Sequence, residues 1–136
     1  MIDRYLEKLE KLRLRSGNLE DWLEGDVETL TADTERRLAP YKAFQELFEA
    51  ITDVCTMFAA DSNMSVGDDY ENLAKAAGKL YDEEIEGKIQ RANGLRNRIV
   101  HEYDKFEDFR ALRDMKALLS ALDRFEKGAS KWIGNR

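Results

Sequence analysis

One stretch organises the predicted fold and its chemistry: Leu95-Arg96-Asn97-Arg98-Ile99-Val100-His101-Glu102-Tyr103. It holds the only histidine of the chain and belongs to the densest run of positive charge. Residues 88–101 contain no carboxylate and four cations: Lys88, Arg91, Arg96 and Arg98. A net charge of -6 conceals this local positive field, which indicates an anionic ligand.

The same stretch is predicted to end a helix over residues 82–100. Its apolar side chains recur at helical spacing and form one stripe: Ile85, Ile89, Ala92, Ile99 and Tyr103. Arg96 falls in the middle of that stripe, where a guanidinium needs a partner. His101 lies five positions on, roughly 140° round the helix and about 7.5 Å along it. One straight helix cannot aim both side chains at one point, so either it breaks near His101 or the site is shared with another chain.

Length and composition predict the rest of the architecture. The 136 residues are long enough for one core and are interpreted as a single domain, residues 1–136. Charged residues make up 37% of the chain and proline occurs once, which is typical of amphipathic helices. The expected fold is all-α, an antiparallel bundle of four or five helices joined by short loops.

Apolar periodicity predicts helices over residues 2–14, 26–60, 70–80, 82–100 and 106–132. The first is expected to stop at residues 16–18, with Trp22 beyond it in the core. A kink or break is expected just before Pro40, because proline removes a backbone donor. Gly94 is interpreted as allowing another backbone to approach, and the tail after Lys127 as frayed. The widest apolar stripe is predicted to be core: Tyr41, Phe44, Leu47, Phe48, Ile51, Cys55 and Phe58.

Cysteine content and hydropathy indicate the cellular compartment of the protein. The single Cys55 can form no disulfide within the chain, and its apolar surroundings predict a buried thiol in a reducing compartment. No apolar run approaches the length of a membrane span, and no leader pattern precedes the first helix. We therefore expect a cytoplasmic protein without membrane association.

The side chains available for chemistry narrow the possible reactions. One histidine and one cysteine argue against a zinc site, and the sequence has no Walker-type phosphate loop. No metal and no cofactor are therefore expected. An imidazole can take a proton from a ribose 2'-hydroxyl or give one to the leaving 5'-oxygen. A guanidinium offers a fixed fork of donors to the phosphate between them.

A purely structural interpretation of the same residues stands beside the chemical one. In it Arg96 pairs with a buried carboxylate, His101 caps the helix end and Tyr103 packs.

The spacing of Arg96, His101 and Tyr103 matches the signature of the HEPN superfamily, and residues 94–103 closely resemble its HepT branch. Tyr41-Lys42-Ala43-Phe44-Gln45, followed by Glu49-Ala50-Ile51 and Asp53, is similar to the long second helix of that family. The resemblance runs from about Arg37 to Tyr103. Pro40 departs from the family's uninterrupted helix.

The resemblance implies a metal-independent ribonuclease toxin of a toxin-antitoxin module that cuts single-stranded RNA. Two bundles would form a symmetric homodimer whose Arg-His motifs line one cleft. Arg96 would hold the scissile phosphate, and His101 would act as general acid or base in forming a 2',3'-cyclic phosphate. Tyr103 would be modified with AMP by the cognate antitoxin, a minimal nucleotidyltransferase called MntA in this family. The added charge and bulk would exclude RNA from the cleft.

Further residues complete the expected site. Asp53 occupies a position where the family often has an acidic residue, and Asn97 is a second accessory candidate. Lys88, Arg91 and Arg98 are candidates for binding RNA phosphates.

A second hypothesis needs no catalysis. In it the chain is a nucleotide- or substrate-binding partner subunit of a minimal nucleotidyltransferase, and the same cationic helix meets phosphates.

Overall fold

Helices account for nearly all of the chain that the structure describes. The structure is a computed structural model that describes residues 2–32, 34–101 and 108–135, and only the backbone at 34–37. Within them lie six α-helices: α1 (Ile2–Leu23), α2 (Val27–Ala32), α3 (Thr34–Asp61), α4 (Asp69–Ala76), α5 (Glu86–His101) and α6 (Asp108–Gly134). A 3-10 turn, Glu83–Ile85, leads directly into α5. No strand occurs in these ranges, and the predicted all-α fold is confirmed.

Side-chain contacts give the directions of the main helices. Tyr5, near the start of α1, donates a hydrogen bond to Asp61 at the end of α3, with 2.6 Å between the oxygens. Further along α1, Arg15 donates to Glu46 in the first half of α3 at 2.6 Å. Tyr5 also packs edge-on against Trp132 near the end of α6, with ring centroids 5.3 Å apart. The helix α1 is therefore antiparallel to both α3 and α6, and α5 packs against α3, α4 and α6.

The core follows the stripe predicted on α3. All seven of its predicted side chains are buried, each at most 4% exposed: Tyr41, Phe44, Leu47, Phe48, Ile51, Cys55 and Phe58. The stripe on α5 is buried as well, with Ile89 and Ala92 fully covered and Ile99 at 6% exposure. These two stripes meet where α3 and α5 pack, and they set the position of Arg96.

The predicted stop at residues 16–18 is wrong, because α1 continues through Gly17 to Leu23. Its buried residues alternate at spacings of four and three: Tyr5, Leu9, Leu12, Ser16, Leu19 and Leu23. This unbroken seam packs on α3 and α6, and the burial outweighs the weak helix propensity of Ser16 and Gly17. The expectation that Trp22 lies in the core is also wrong, since 42% of it is exposed.

Replacing Gly17 by alanine should stabilise the protein. A Cβ built at Gly17 meets no atom of the described residues within 4 Å, and the residue is in the middle of a helix. The substitution lowers the backbone entropy of the unfolded chain, so the free energy of unfolding should rise by about 0.5–1 kcal/mol. Urea denaturation followed by circular dichroism measures this, and a decrease in the free energy of unfolding would contradict the open space seen beside Gly17.

Two further expectations about helix ends change. The range of the helix predicted over residues 26–60 is described as α2 and α3, on either side of residue 33, and α3 runs through Pro40 without the expected break. Pro40 is buried and stands in the second turn, so packing can offset the one backbone hydrogen bond that it removes. The tail of α6 is helical to Gly134, because Ala129 and Ile133 are buried.

The short helix α4 is held between α3 and α5. Asp68 caps it by accepting a hydrogen bond from the Glu71 backbone at 2.9 Å. The buried Asn72 accepts from the Gly67 backbone and donates to Thr56 of α3, at 2.9 and 3.3 Å. The first turn of α4 is thereby fixed relative to α3.

Candidate functional site

Arg96 lies in the predicted apolar stripe and has the partner that such a position requires. Its side chain is 12% exposed, and its Nη2 donates to Asp69 Oδ2 at 2.7 Å. The same nitrogen donates to Asn93 Oδ1, one turn earlier on α5, at 3.0 Å. The guanidinium carbon lies 5.7 Å from the centre of the Phe48 ring on α3. The prediction that Arg96 needs a partner is confirmed, and three helices supply its surroundings.

Sequence reasoning missed Asp69 as the partner of Arg96. The two residues are 27 positions apart, and no local spacing links them. Their contact depends on how α4 packs against α5. Gln90 of α5 donates to the Tyr70 backbone carbonyl at 2.9 Å and fixes that packing.

The contact between α4 and α5 at Asp69 and Arg96 is called the junction below. Two buried polar atoms near it lack a hydrogen-bond partner in the described part of the chain. They are Nε of Arg96 and Oε1 of Gln90. Buried polar atoms are usually paired, so each is an unused donor or acceptor beside the Arg96–Asp69 ion pair. Arg96 uses only Nη2 for its hydrogen bonds to Asp69 and Asn93.

His101 is the last residue of α5 and is exposed. The helix is unbroken as far as His101, so helical geometry places the imidazole roughly 140° from Arg96. It shares its side of α5 with Gly94 and Asn97, which are also exposed. One chain therefore does not bring Arg96 and His101 together. Tyr103 lies outside the described residues.

Gly94 has open space beside it within the chain. A Cβ built there meets no described atom within 4 Å. The expected close approach of a backbone is thus not made by another helix of the same chain.

The other three predicted cations lie together, but on a different side of α5 from Arg96. Lys88, Arg91 and Arg98 line a groove of about 490 Å³ between α5 and α6. Its apolar lining comes from Leu95 with Ala117 and Leu118 of α6. Asp114 also lines it, and its carboxylate is 4.0 Å from Arg98. The groove is cationic and open to solvent.

The structure places Asp53 away from this junction. Its carboxylate pairs with Lys8 of α1 at 2.9 Å, and its side chain is half exposed. On α3 it points roughly 140° away from Phe48, which underlies Arg96. Within the described residues the carboxylate paired with Arg96 is that of Asp69, and an accessory role for Asp53 stays a prediction.

Cys55 is buried, as the sequence predicted, and it lies near enough to Asp69 to feel its charge. Burial, and to a lesser extent the charge of Asp69, raises the pKa of its thiol well above the ordinary value. The thiol is therefore protonated at neutral pH, and a protonated thiol is a poor nucleophile. In the described ranges no three side chains of the metal-binding types converge on a point that could hold an ion.

None of the described helices is long and apolar enough to cross a membrane.

Comparison with known proteins identifies the class and then the family. The all-α bundle, with an arginine and a histidine on its most basic helix, is that of the HEPN superfamily. The sequence model of the family described as ribonuclease HepT-like matches residues 2–127. The chain belongs to this family, which confirms the resemblance found in the sequence.

Two relatives from Archaeoglobus fulgidus extend the comparison. One, named "Putative RNase", is 32% identical over 139 aligned residues, which cover 96% of this chain and 97% of that protein. Another protein of the same name is 30% identical over 128 residues, covering 86% of each chain. The similarity therefore extends over nearly the whole fold.

Proposed function

We propose that the protein is a metal-independent endoribonuclease that cuts single-stranded RNA. The observation that carries this proposal is the presence of both Arg96 and His101 on α5. Arg96 is held by its ion pair with Asp69, and the exposed His101 follows five residues later. Membership of a ribonuclease family supports the proposal. Two relatives named "Putative RNase", which are similar to this chain along most of their length, support it as well.

The proposed reaction is transfer of a phosphoryl group within the RNA. His101 accepts the proton of a ribose 2'-hydroxyl, and the 2'-oxygen attacks the adjacent phosphorus. The bond from phosphorus to the 5'-oxygen breaks, and that oxygen leaves with a proton from an imidazolium. The products are a 2',3'-cyclic phosphate and a free 5'-hydroxyl. The Arg96 guanidinium stabilises the charge that grows on the phosphate oxygens.

The proposed active unit is a symmetric homodimer. Because α5 directs Arg96 and His101 to different sides, Arg96 of one protomer would act with the imidazole of the other. The exposed side of α5 that carries Gly94, Asn97 and His101 would face the two-fold axis, where Gly94 leaves room for a second backbone. Asn97 lies one turn before His101 and is an accessory candidate for orienting the substrate.

The groove between α5 and α6 is proposed to bind RNA phosphates beyond the cut. Lys88, Arg91 and Arg98 line it together. Such contacts carry affinity rather than sequence preference, so RNA binding should weaken as salt is raised.

The proposed regulation is adenylylation of Tyr103 by a MntA-like nucleotidyltransferase in a cytoplasmic toxin-antitoxin pair. Tyr103 stands two residues beyond His101, so an attached AMP would bring negative charge to the reacting phosphate. Intact-mass measurement after co-expression with that nucleotidyltransferase tests this. An increase of one or more AMP units is expected, and an equal increase in Tyr103→Phe would exclude this residue.

A direct assay tests the nuclease. Protein purified without the nucleotidyltransferase, and shown by mass to be unmodified, is incubated with labelled single-stranded RNA and excess EDTA. We expect cleavage and products that end in 2',3'-cyclic phosphate. Absence of cleavage would favour the alternative, a non-catalytic subunit that only binds nucleotide or substrate. A requirement for added divalent cations would contradict the metal-independent mechanism.

A further inference from the structure

We propose that Asp69 is a positioning residue that orients the Arg96 guanidinium toward the phosphate. The inference rests on the proposed function and adds a residue from another helix to its site. It starts from the ion pair between Asp69 Oδ2 and Arg96 Nη2, 2.7 Å apart.

Three contacts restrict the guanidinium. Asp69 and Asn93 both accept hydrogen bonds from Nη2, and these two bonds fix how the guanidinium is rotated within its own plane. The Phe48 ring, 5.7 Å from the guanidinium carbon, lies beside it. A guanidinium held in this way needs little reorganisation when charge develops on a bound phosphate.

The same contacts leave donors for a ligand. Within the described chain the hydrogen bonds of Arg96 all come from Nη2, and its buried Nε has no acceptor. A guanidinium has five N–H donors, so those on Nη1 and Nε are uncommitted. Because Nε is buried, an approaching anion can use the donors on Nη1.

Asp69 is suited to orient the arginine without cancelling its charge. Its side chain is 45% exposed, so water screens its repulsion of an incoming phosphate. A fully enclosed carboxylate would instead compete with the phosphate for the guanidinium.

The backbone around Asp69 is built to hold its position. Asp68 caps α4, Asn72 ties the helix to Gly67 and Thr56, and Gln90 joins it to α5. Since α4 has only eight residues, these contacts rather than its own length fix its orientation.

The experiment compares Asp69→Asn with the wild type in steady-state cleavage of single-stranded RNA. Asparagine keeps the shape but loses the charge, so kcat should fall about tenfold to a hundredfold while KM changes less than about threefold. Asp69→Glu should recover part of the loss. Asp69→Asn combined with Arg96→Ala should be no slower than Arg96→Ala alone, because the two residues act as one unit. Glu46→Gln is the matched control, since Glu46 forms an ion pair of similar length with Arg15.

The outcomes separate this inference from the proposed function. If Arg96→Ala is inactive but Asp69→Asn has the wild-type kcat, Asp69 has no positioning role. A faster Asp69→Asn would show that Asp69 competes with the phosphate, which also overturns the inference. If Arg96→Ala cuts RNA normally, the role of Arg96 in the proposed function fails. Absence of cleavage by the wild type overturns both.

Discussion

His101→Ala should lower kcat for cleavage of single-stranded RNA by about a hundredfold to ten-thousandfold, the usual contribution of a general acid or base. The substitution removes the single imidazole of the chain, which is the proposed proton acceptor and donor. His101 is exposed at the end of α5 and contributes nothing to the buried stripe of that helix. The midpoint of thermal unfolding should therefore stay within the error of the wild-type value.

Comparison with Lys79→Ala controls for a general effect of removing a surface side chain. Lys79 is exposed in the turn after α4, and its replacement should leave both kcat and stability unchanged. If His101→Ala keeps more than about one tenth of the wild-type kcat, proton transfer by this imidazole is not part of the mechanism.

Mixed dimers of two inactive variants should regain about half of the wild-type kcat. One protomer carries Arg96→Ala and its partner carries His101→Ala, and two affinity tags select the mixed species after co-expression. If each phosphate meets an arginine and a histidine from opposite protomers, one of the two equivalent pairings is intact. The expectation follows from α5, which directs the two side chains apart within one chain.

The matched control reverses the arrangement. A wild-type protomer paired with an Arg96→Ala/His101→Ala protomer keeps both groups on one chain, so it should be inactive. Activity in this control, without activity in the first mixture, would show that one chain supplies both groups. That result would contradict the shared site.

Periodicity predicted the parts of the fold that burial determines. The apolar stripe on α3 is buried as expected, because its side chains repeat at helical spacing over many turns. The same spacing placed Arg96 on a buried seam. Local signals failed at Ser16 and Gly17, where packing of a long helix outweighs weak propensity.

The contacts around Arg96 could not be predicted from the sequence. Asp69 lies on α4, and no pattern within either helix indicates that they meet. Asp53 was favoured because the family often has an acidic residue at its position, but its side chain pairs with Lys8 of α1. Predicting such contacts requires the orientation of whole helices, which depends on the packed core.

The groove cations and Arg96 lie on different sides of α5, and this separation has an evolutionary consequence. Substitutions at Lys88 or Arg91 would change how firmly the protein holds an RNA while the buried ion pair stays intact. A lineage could thus change its affinity for RNA by substitutions in the proposed phosphate-binding groove, with the proposed catalytic residues left unchanged.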